Sequence, residues 1–355
     1  MKIGTPHDLS IPSSAVRDFY TSHWNRRIPL SDEQFYRWQF LSPPGTDGRD
    51  NCCVAVDDTD GIIGVMGLHE RPFAFEGSVV SGAELTTWIV RQDTQKRGVG
   101  PQMLQFLQAK YDFLLGLGIT PPAVAVYLRQ GFRFFNPIPR YMRVLNWERV
   151  EPFAQIDERA KKIDRYWKQE RTKVPYQLCD LDPGVVNTIG DAFAHSSNMF
   201  IRNYEFLSWR YFDHPSYTYK VAVVRADSMS RGAVVVFRIQ EPAPNLCIAH
   251  VLDLYGDNRS MQAALSYLDE ELMSAGVHFV DFYSTSGMHQ GLFLSNDWFA
   301  LGSDNFFNFP HLFNPIELRT PASTSMVVWA RSTRELIFNS SNSYFSKQDS
   351  DFDRP

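Results

Sequence analysis

Val90-Arg91-Gln92-Asp93-Thr94-Gln95-Lys96-Arg97-Gly98-Val99-Gly100-Pro101 is the stretch from which the rest of the chain can be read. Before it, Ala83 to Val90 is rich in β-branched and aromatic residues and predicts a strand. After it, Pro101 opens a run with Met103, Leu104, Phe106 and Leu107 at helical spacing. Proline suits a first helical turn because its missing N–H would have no partner there anyway. A strand, a basic glycine turn and a helix N-terminus aim backbone N–H groups at one spot. The helix dipole and the charges of Lys96 and Arg97 add to the attraction for an anion, so the stretch reads as a pyrophosphate cradle.

A P-loop requires Lys and then Ser or Thr after its last glycine, where Pro101-Gln102 stand. A dinucleotide fingerprint requires a third glycine where Met103 stands. An ordinary strand-to-helix loop, with glycines for tightness, is the plain alternative. The order Gln-x-x-Gly-x-Gly from Gln95 to Gly100 resembles the acyl-CoA signature of the GNAT acyltransferases. A second piece lies downstream, where Ala123 to Phe132 is similar to the family's Ala-x-x-Leu-Tyr-x-x-x-Gly-Phe, with Tyr127 four residues before Gly131 and Val126 in place of the Leu. Pro121-Pro122 departs from the family, which often has an Asn there touching the pantetheine arm. The resemblance implies acyl-CoA as co-substrate and no metal. Gln95, Lys96, Arg97, Gly98, Val99 and Gly100 would hold the pyrophosphate, and a backbone N–H around Ile89 or Val90 would meet the oxyanion.

Composition frames this. The 355 residues are 44% hydrophobic and 14% aromatic, enough for two cores. A net charge of −5 with mixed signs argues against a general nucleic-acid binder. Cys52, Cys53, Cys179 and Cys247 lack CxxC spacing, which fits reduced cytoplasmic thiols, and no apolar run has the length of a membrane span.

In order, helices are expected over Ser13–Trp24 and Ser31–Phe40, the second opened by a capping box of Ser31 and Gln34. Strands follow at Cys52–Val56 and Gly61–Leu68, joined by an Asp-Gly hairpin signal, then Ala83–Val90, the cradle helix, a strand at Phe113–Leu117 and a short helix at Ala123–Gln130. Phe132–Phe135 and Arg140–Leu145 are expected to complete this sheet. Residues 150–174 turn charged and read as a solvated linker helix. The chain then repeats itself. Gln34 to Pro44 aligns without gaps on Glu205 to Pro215, and Gly61 stands 23 positions after Trp38 just as Gly232 stands 23 after Trp209. At the second cradle position, Tyr255-Gly256-Asp257 puts a carboxylate where it would repel a pyrophosphate. The expectation is an α/β fold of two tandem GNAT-like domains, each a mostly antiparallel twisted sheet flanked by helices. Residues 1–149 would bear the intact cradle and residues 175–335 a degenerate copy shaping the acceptor site. Residues 336–355, polar and serine-rich, would be a disordered tail.

Acyl transfer from a thioester to an amine needs a neutral nucleophile, oxyanion stabilisation and a proton for the departing thiolate. Family members often use a Glu on the strand before the cradle, where Glu84 stands; an exposed strand glutamate is the equal alternative. Tyr127 would be the general acid, or else a packed core tyrosine. His69, Trp209, Arg210, His250 and Asp253 are the residues placed near the acceptor, each with a structural role as the commoner fate. Phe206-Leu207-x-Trp209-Arg210-Tyr211-x-x-His214-Pro215 resembles tandem enzymes of surface-polysaccharide pathways that acylate dTDP-linked amino sugars. That likeness implies a nucleotide-linked amino sugar as partner, with Phe306, Phe307, Phe309 and His311 as a base-stacking surface. A self-associating chain is compatible with it. A peptidoglycan-type aminoacyl transferase and a non-catalytic acyl-CoA sensor are the rival classes.

Overall fold

The computed structural model describes all residues except 25–26, 171–172, 302–306, 314–315, 319–322, 333–341 and 351–355. Two mixed sheets form the frame. The first contains β1 (Lys2–Gly4), β2 (Cys52–Asp57), β3 (Gly61–Phe75), β4 (Ser78–Val90), β5 (Phe113–Leu117) and β6 (Arg133–Phe135). Helices α1 (Ser13–His23), α2 (Glu33–Tyr36), α3 (Val99–Lys110) and α4 (Pro121–Arg129) flank it. Gly61 turns the hairpin between β2 and β3 at φ +70°, the left-handed region that glycine enters without steric cost. The start of α2 corrects the expected capping box. Asp32 caps this helix by accepting from the Phe35 N–H at 2.9 Å, while Ser31 Oγ donates back to the Ile28 carbonyl.

The internal repeat is visible in three dimensions. Glu33–Tyr36 runs into a five-residue π-helical turn at Arg37–Leu41, and Tyr204–Leu207 runs into the same turn at Ser208–Phe212. Asn203 caps the second copy as Asp32 caps the first. Trp38 and Trp209 stack at 5.3 Å, and each indole N–H donates to the other's carbonyl, at 2.9 and 2.8 Å. Both residues are buried, so each polar end finds its partner inside the pair. A pseudo-twofold axis therefore passes between them.

The sheets are not closed by their own halves. Arg140–Val144 (β7), expected in the first sheet, lies in the second between the strands Phe279–Tyr283 and Phe299–Leu301. Arg140 explains the choice, since its guanidinium is fully buried against Asp281 at 2.6 and 2.9 Å, a partner only the second sheet supplies. In return, Met326–Ala330 crosses back and fills the place between β5 and β6. Residues 342–350 correct another expectation, that of a disordered tail. Tyr344, Phe345, Ser346, Gln348 and Asp349 are all buried, and this strap runs between the halves. Its polar composition reflects the ionic interior it enters, described below.

Candidate functional site

The glycine turn forms as the sequence predicts. Gly98 has φ +75°, a conformation strained for any side chain, and leads into α3 with no side-chain cap. The first N–H groups of α3 are thus left for an anion. Gln95, Lys96 and Arg97 are exposed, while Val99 and Gly100 are buried. Arg97 leans on the β2–β3 hairpin, pairing with Asp60 at 3.1 Å and Asp57 at 3.9 Å. Gly100 is required for a second reason. A Cβ there would sit 2.7 Å from Cζ2 of Trp88, whose indole roofs the turn.

Beyond the turn, β4 parts from its neighbour. Its parallel pairing with β5 runs from Gly82↔Phe113 to Leu85↔Gly116 and stops. After a bulge at Thr86–Thr87 opposite Gly67, Trp88, Ile89 and Val90 continue the ladder with β3, and no pairing with β5 is formed there among the described residues. This opening between β4 and β5, at the mouth of the turn, exposes strand edge to whatever lies between the strands. Trp88 and Tyr127 line its α3 face, with ring centroids 5.3 Å apart, and Tyr127 also packs on Phe132 at 5.0 Å.

Glu84 is on the opposite face and is 1% exposed, not the exposed strand residue of the alternative reading. It is ion-paired to Arg71 and accepts a hydrogen bond from His69 Nδ1 at 3.1 Å. Burial alone would raise its carboxyl, but Arg71 and His69 outweigh it and hold the group at about 2. Asp349 of the strap then bridges Arg71 at 3.1 Å and Arg202 at 2.6 Å. Arg202 reaches Asp253 at 2.9 Å, and Tyr344 donates to that same Asp253. Burial, with the charge of Asp349, raises Asp253 against the pull of Arg202. A second cluster lies beside the first. Asp281 meets Arg140, Lys347 and His250, the last two at 2.6 Å, and burial together with Lys347 lowers His250 to about 4.

The structure therefore joins Glu84 and His69 directly and reaches Asp253 through Arg71, Asp349 and Arg202. His250 belongs to the neighbouring cluster around Asp281. Trp209 packs against His69 at 5.4 Å, besides stacking on Trp38. Arg210 is buried, donates to the Ser350 carbonyl at 3.0 Å and lies over Trp38. Phe307 and Phe309 pack with each other and with Trp147 and Phe279 as core residues. Phe306, with the side chain of His311, lies outside the described residues. Sequence reading missed Trp88, Arg71, Arg202 and Asp349. Of these, Arg71 carried a signal, since it shares one strand face with His69 while Glu70 between them points to the other.

At the second turn, Asp257 fills its own cradle. Its carboxylate accepts from the Ser260 N–H and hydroxyl at 2.9 and 2.8 Å and from the Gly232 N–H at 2.8 Å. Gly256 packs so tightly on Gly232 and Ala233 that even a Cβ is excluded. The Ser260 N–H, which a phosphate at this helix end would use, is already bonded to the Asp257 carboxylate.

Comparison with known proteins agrees with this geometry. Residues 14–132 match the sequence model of the acetyltransferase (GNAT) family. No curated protein matches the chain. Among solved structures it is similar to a GCN5-related N-acetyltransferase from Anabaena variabilis ATCC 29413, at 10% identity and a TM-score of 0.58, covering 92% of this chain and 72% of that one. A protein of unknown function from Enterococcus faecalis V583, described as a probable N-acyltransferase, aligns at 12% identity and 0.56, over 93% and 71%. N-myristoyltransferase from Saccharomyces cerevisiae, solved with myristoyl-CoA bound, aligns at 11% identity and 0.51, over 94% and 79%. At these identities the likeness is one of fold. Among the described residues, no helix is long and apolar enough to cross a membrane, and no His, Cys, Asp and Glu side chains gather as a metal site.

Proposed function

We propose, from the match of residues 14–132 to the acetyltransferase (GNAT) family, that this acyl-CoA-dependent acyltransferase moves the acyl group to the amine of a nucleotide-linked amino sugar, in surface-polysaccharide synthesis, by direct attack in a ternary complex. The observation that carries the donor half is the contrast between the two turns. The Gln95–Gly100 turn leads into an uncapped helix under Trp88, whereas Asp257 occupies the other. One acyl-CoA per chain follows.

For the chemistry, the thioester lies in the opening between β4 and β5. The amine attacks its carbonyl, and the oxyanion meets a backbone N–H near Ile89 or Val90. A carboxylate held at about 2 is a poor base at neutral pH, because proton transfer is most efficient when the base titrates near the working pH. Glu84 is therefore assigned to fix His69, and the imidazole takes the amine proton. A carboxylate accepting from Nδ1 sets the tautomer that leaves the other ring nitrogen basic. Tyr127 protonates the departing thiolate.

The acceptor half is supported by the Phe206–Pro215 resemblance, although Trp209 of that motif stacks on Trp38 between the halves and Tyr211 is buried against Tyr219 in the second half. The test is a thermal-shift and radiolabel screen pairing CoA thioesters with dTDP- and UDP-linked amino sugars. Acyl-CoA and one nucleotide sugar should each raise the melting temperature, and label should move to the sugar. Absence of binding at millimolar CoA removes the donor assignment. Label moving to free amino sugars as fast as to nucleotide-linked ones removes the nucleotide.

A further inference from the structure

Trp88 carries a polar atom that the protein itself does not use. Its indole Nε1 is covered and has no hydrogen-bond partner among the described residues, although the residue as a whole is only half-buried. The edge that bears this N–H is turned towards the glycine turn. A Cβ at Gly100 would lie 2.7 Å from Cζ2 and 3.8 Å from Cε2, the ring atoms on the nitrogen side of the indole. Tyr127 packs against the same ring system, with centroids 5.3 Å apart. The helix that brings Tyr127, α4, offers no spare donor from its first turn. Pro121 and Pro122 have no N–H, and those of Ala123 and Val124 both go to the Thr120 carbonyl.

The second half provides an internal comparison. Its ladder Ile248↔Phe279, Ala249↔Val280 and His250↔Asp281 matches Gly82↔Phe113, Ala83↔Leu114 and Glu84↔Leu115. A bulge follows at the same place in both, after Leu85 opposite Leu68 and after Val251 opposite Phe237. Trp88, opposite Met66, therefore corresponds to Leu254, opposite Val235. By the same count Tyr127 and Phe132 correspond to Phe293 and Trp298, which meet edge to face at 4.7 Å as the first pair does at 5.0 Å. The ring packing is common to both halves. The indole N–H and the phenol hydroxyl are both absent from the half whose turn Asp257 fills. There the opening beside the strand is filled too, since the Leu254 N–H donates to the Tyr344 hydroxyl at 3.0 Å and the Leu254 carbonyl accepts from His289 Nε2 at 2.8 Å. A covered N–H without a partner costs stability, so one that stands only beside the uncapped turn points to a ligand as its acceptor.

We propose that the Trp88 indole N–H donates to an amide carbonyl of the pantetheine arm of acyl-CoA. This rests on the reading that the Gln95–Gly100 turn takes the pyrophosphate and Tyr127 serves the sulfur. An arm joining those two points has to pass Trp88, which touches both Gly100 and Tyr127. The carbonyls of the arm are uncharged acceptors, and the indole is a donor only, so the two are matched.

The test is calorimetric titration with CoA and, separately, with ADP, which has the pyrophosphate without the arm. Trp88→Phe removes the N–H with part of the ring, and benzothienylalanine placed at position 88 replaces the N–H by sulfur and keeps the shape. Both should weaken CoA binding by about 10-fold and leave ADP binding within about twofold of the wild type. Without ligand, the benzothienyl variant should melt at or above the wild-type temperature, because the atom it lacks has no partner there. It also keeps the measurement available should Trp88→Phe not fold. CoA affinity unchanged in the benzothienyl variant, ADP weakened by the same factor as CoA, or a lower melting temperature for the ligand-free benzothienyl variant overturns the assignment. Wild-type protein that binds neither CoA nor ADP at millimolar concentration removes the donor reading itself, and the contact with it.

Discussion

Arg202→Met removes the cation that ties the two halves to the strap. In the native protein Arg202 donates to Asp253 at 2.9 Å, to the Phe200 carbonyl at 2.9 Å and to Asp349 at 2.6 Å, with its side chain 1% exposed. The cluster holds two guanidiniums, Arg71 and Arg202, against three carboxylates, Glu84, Asp253 and Asp349. It is already rich in acid before His69 is counted, and burial, with the charge of Asp349, raises the Asp253 carboxyl. Without Arg202, one cation faces three buried acids. Breaking a buried pair in this way costs about 3–5 kcal/mol. An unfolding entropy of about 2 cal/mol/K per residue, over 355 residues, makes each kcal/mol worth about 1.3 °C, so the melting temperature should fall by about 4–7 °C. The sign of the pH dependence follows. Asp253, already raised by burial, would titrate higher still in the folded variant than in the unfolded chain, so the folded state gains stability by binding a proton as pH falls. The deficit should be full at pH 7.5 and visibly smaller at pH 5, and Asp349→Asn in the same chain should recover about half of it. Scanning calorimetry at the two pH values reads all three. A loss below about 1 °C, or a deficit that ignores pH, would refute the charge count.

The wild type should also lose stability below pH 4.5, because Glu84 titrates at about 2 when folded and ordinarily at 4.5. That contribution, about 3 kcal/mol by linkage, is full above 4.5, fades towards pH 2 and is missing from Glu84→Gln in an acid titration. Gly100→Ala should cost about 1–3 kcal/mol by overpacking against Trp88 and weaken CoA binding in calorimetric titration, and Trp88→Phe should restore the stability. Asp257→Ala, by contrast, should cost about 1 kcal/mol of helix cap and leave CoA affinity unchanged. Tyr127→Phe should slow turnover by about 10²- to 10⁴-fold with acyl-CoA affinity retained, as seen in single-turnover assays.

What the sequence disclosed was local. The glycine turn, the short helix that carries Tyr127 and the repeat could be read because each depends on residues within one or two elements of each other. Sheet membership could not be read in this way. Arg140–Val144 has the composition of a strand, but its partner is decided by Asp281, about 140 positions away, and nothing nearby announces that pairing. The strap failed for a different reason. Its serines and charges match a solvated tail by composition, yet the space between the halves is lined by Arg71, Arg202 and Asp253. A polar segment is therefore the one that fits, with Tyr344 and Phe345 anchoring it in the cores. Glu84 was found by position along its strand, while its low pKa depended on Arg71 and so required the fold.

The exchange of strands and the shared charges bear on how one chain can hold one uncapped turn and one that Asp257 fills. Neither half closes its own sheet, since β7 serves the second and Met326–Ala330 serves the first. The strap then places Asp349 between an arginine of each half. A boundary at residue 149 would cut through this arrangement and leave the facing edges of β5 and β6 without the strand that separates them. Bare edges of that kind invite pairing with other chains. The second half thus stays necessary to the first as structure even though Asp257 has closed its turn. Trp209 matches Trp38 because each indole bonds the other's backbone, whereas Arg210 differs from Gln39 in closing an internal contact with the Ser350 carbonyl.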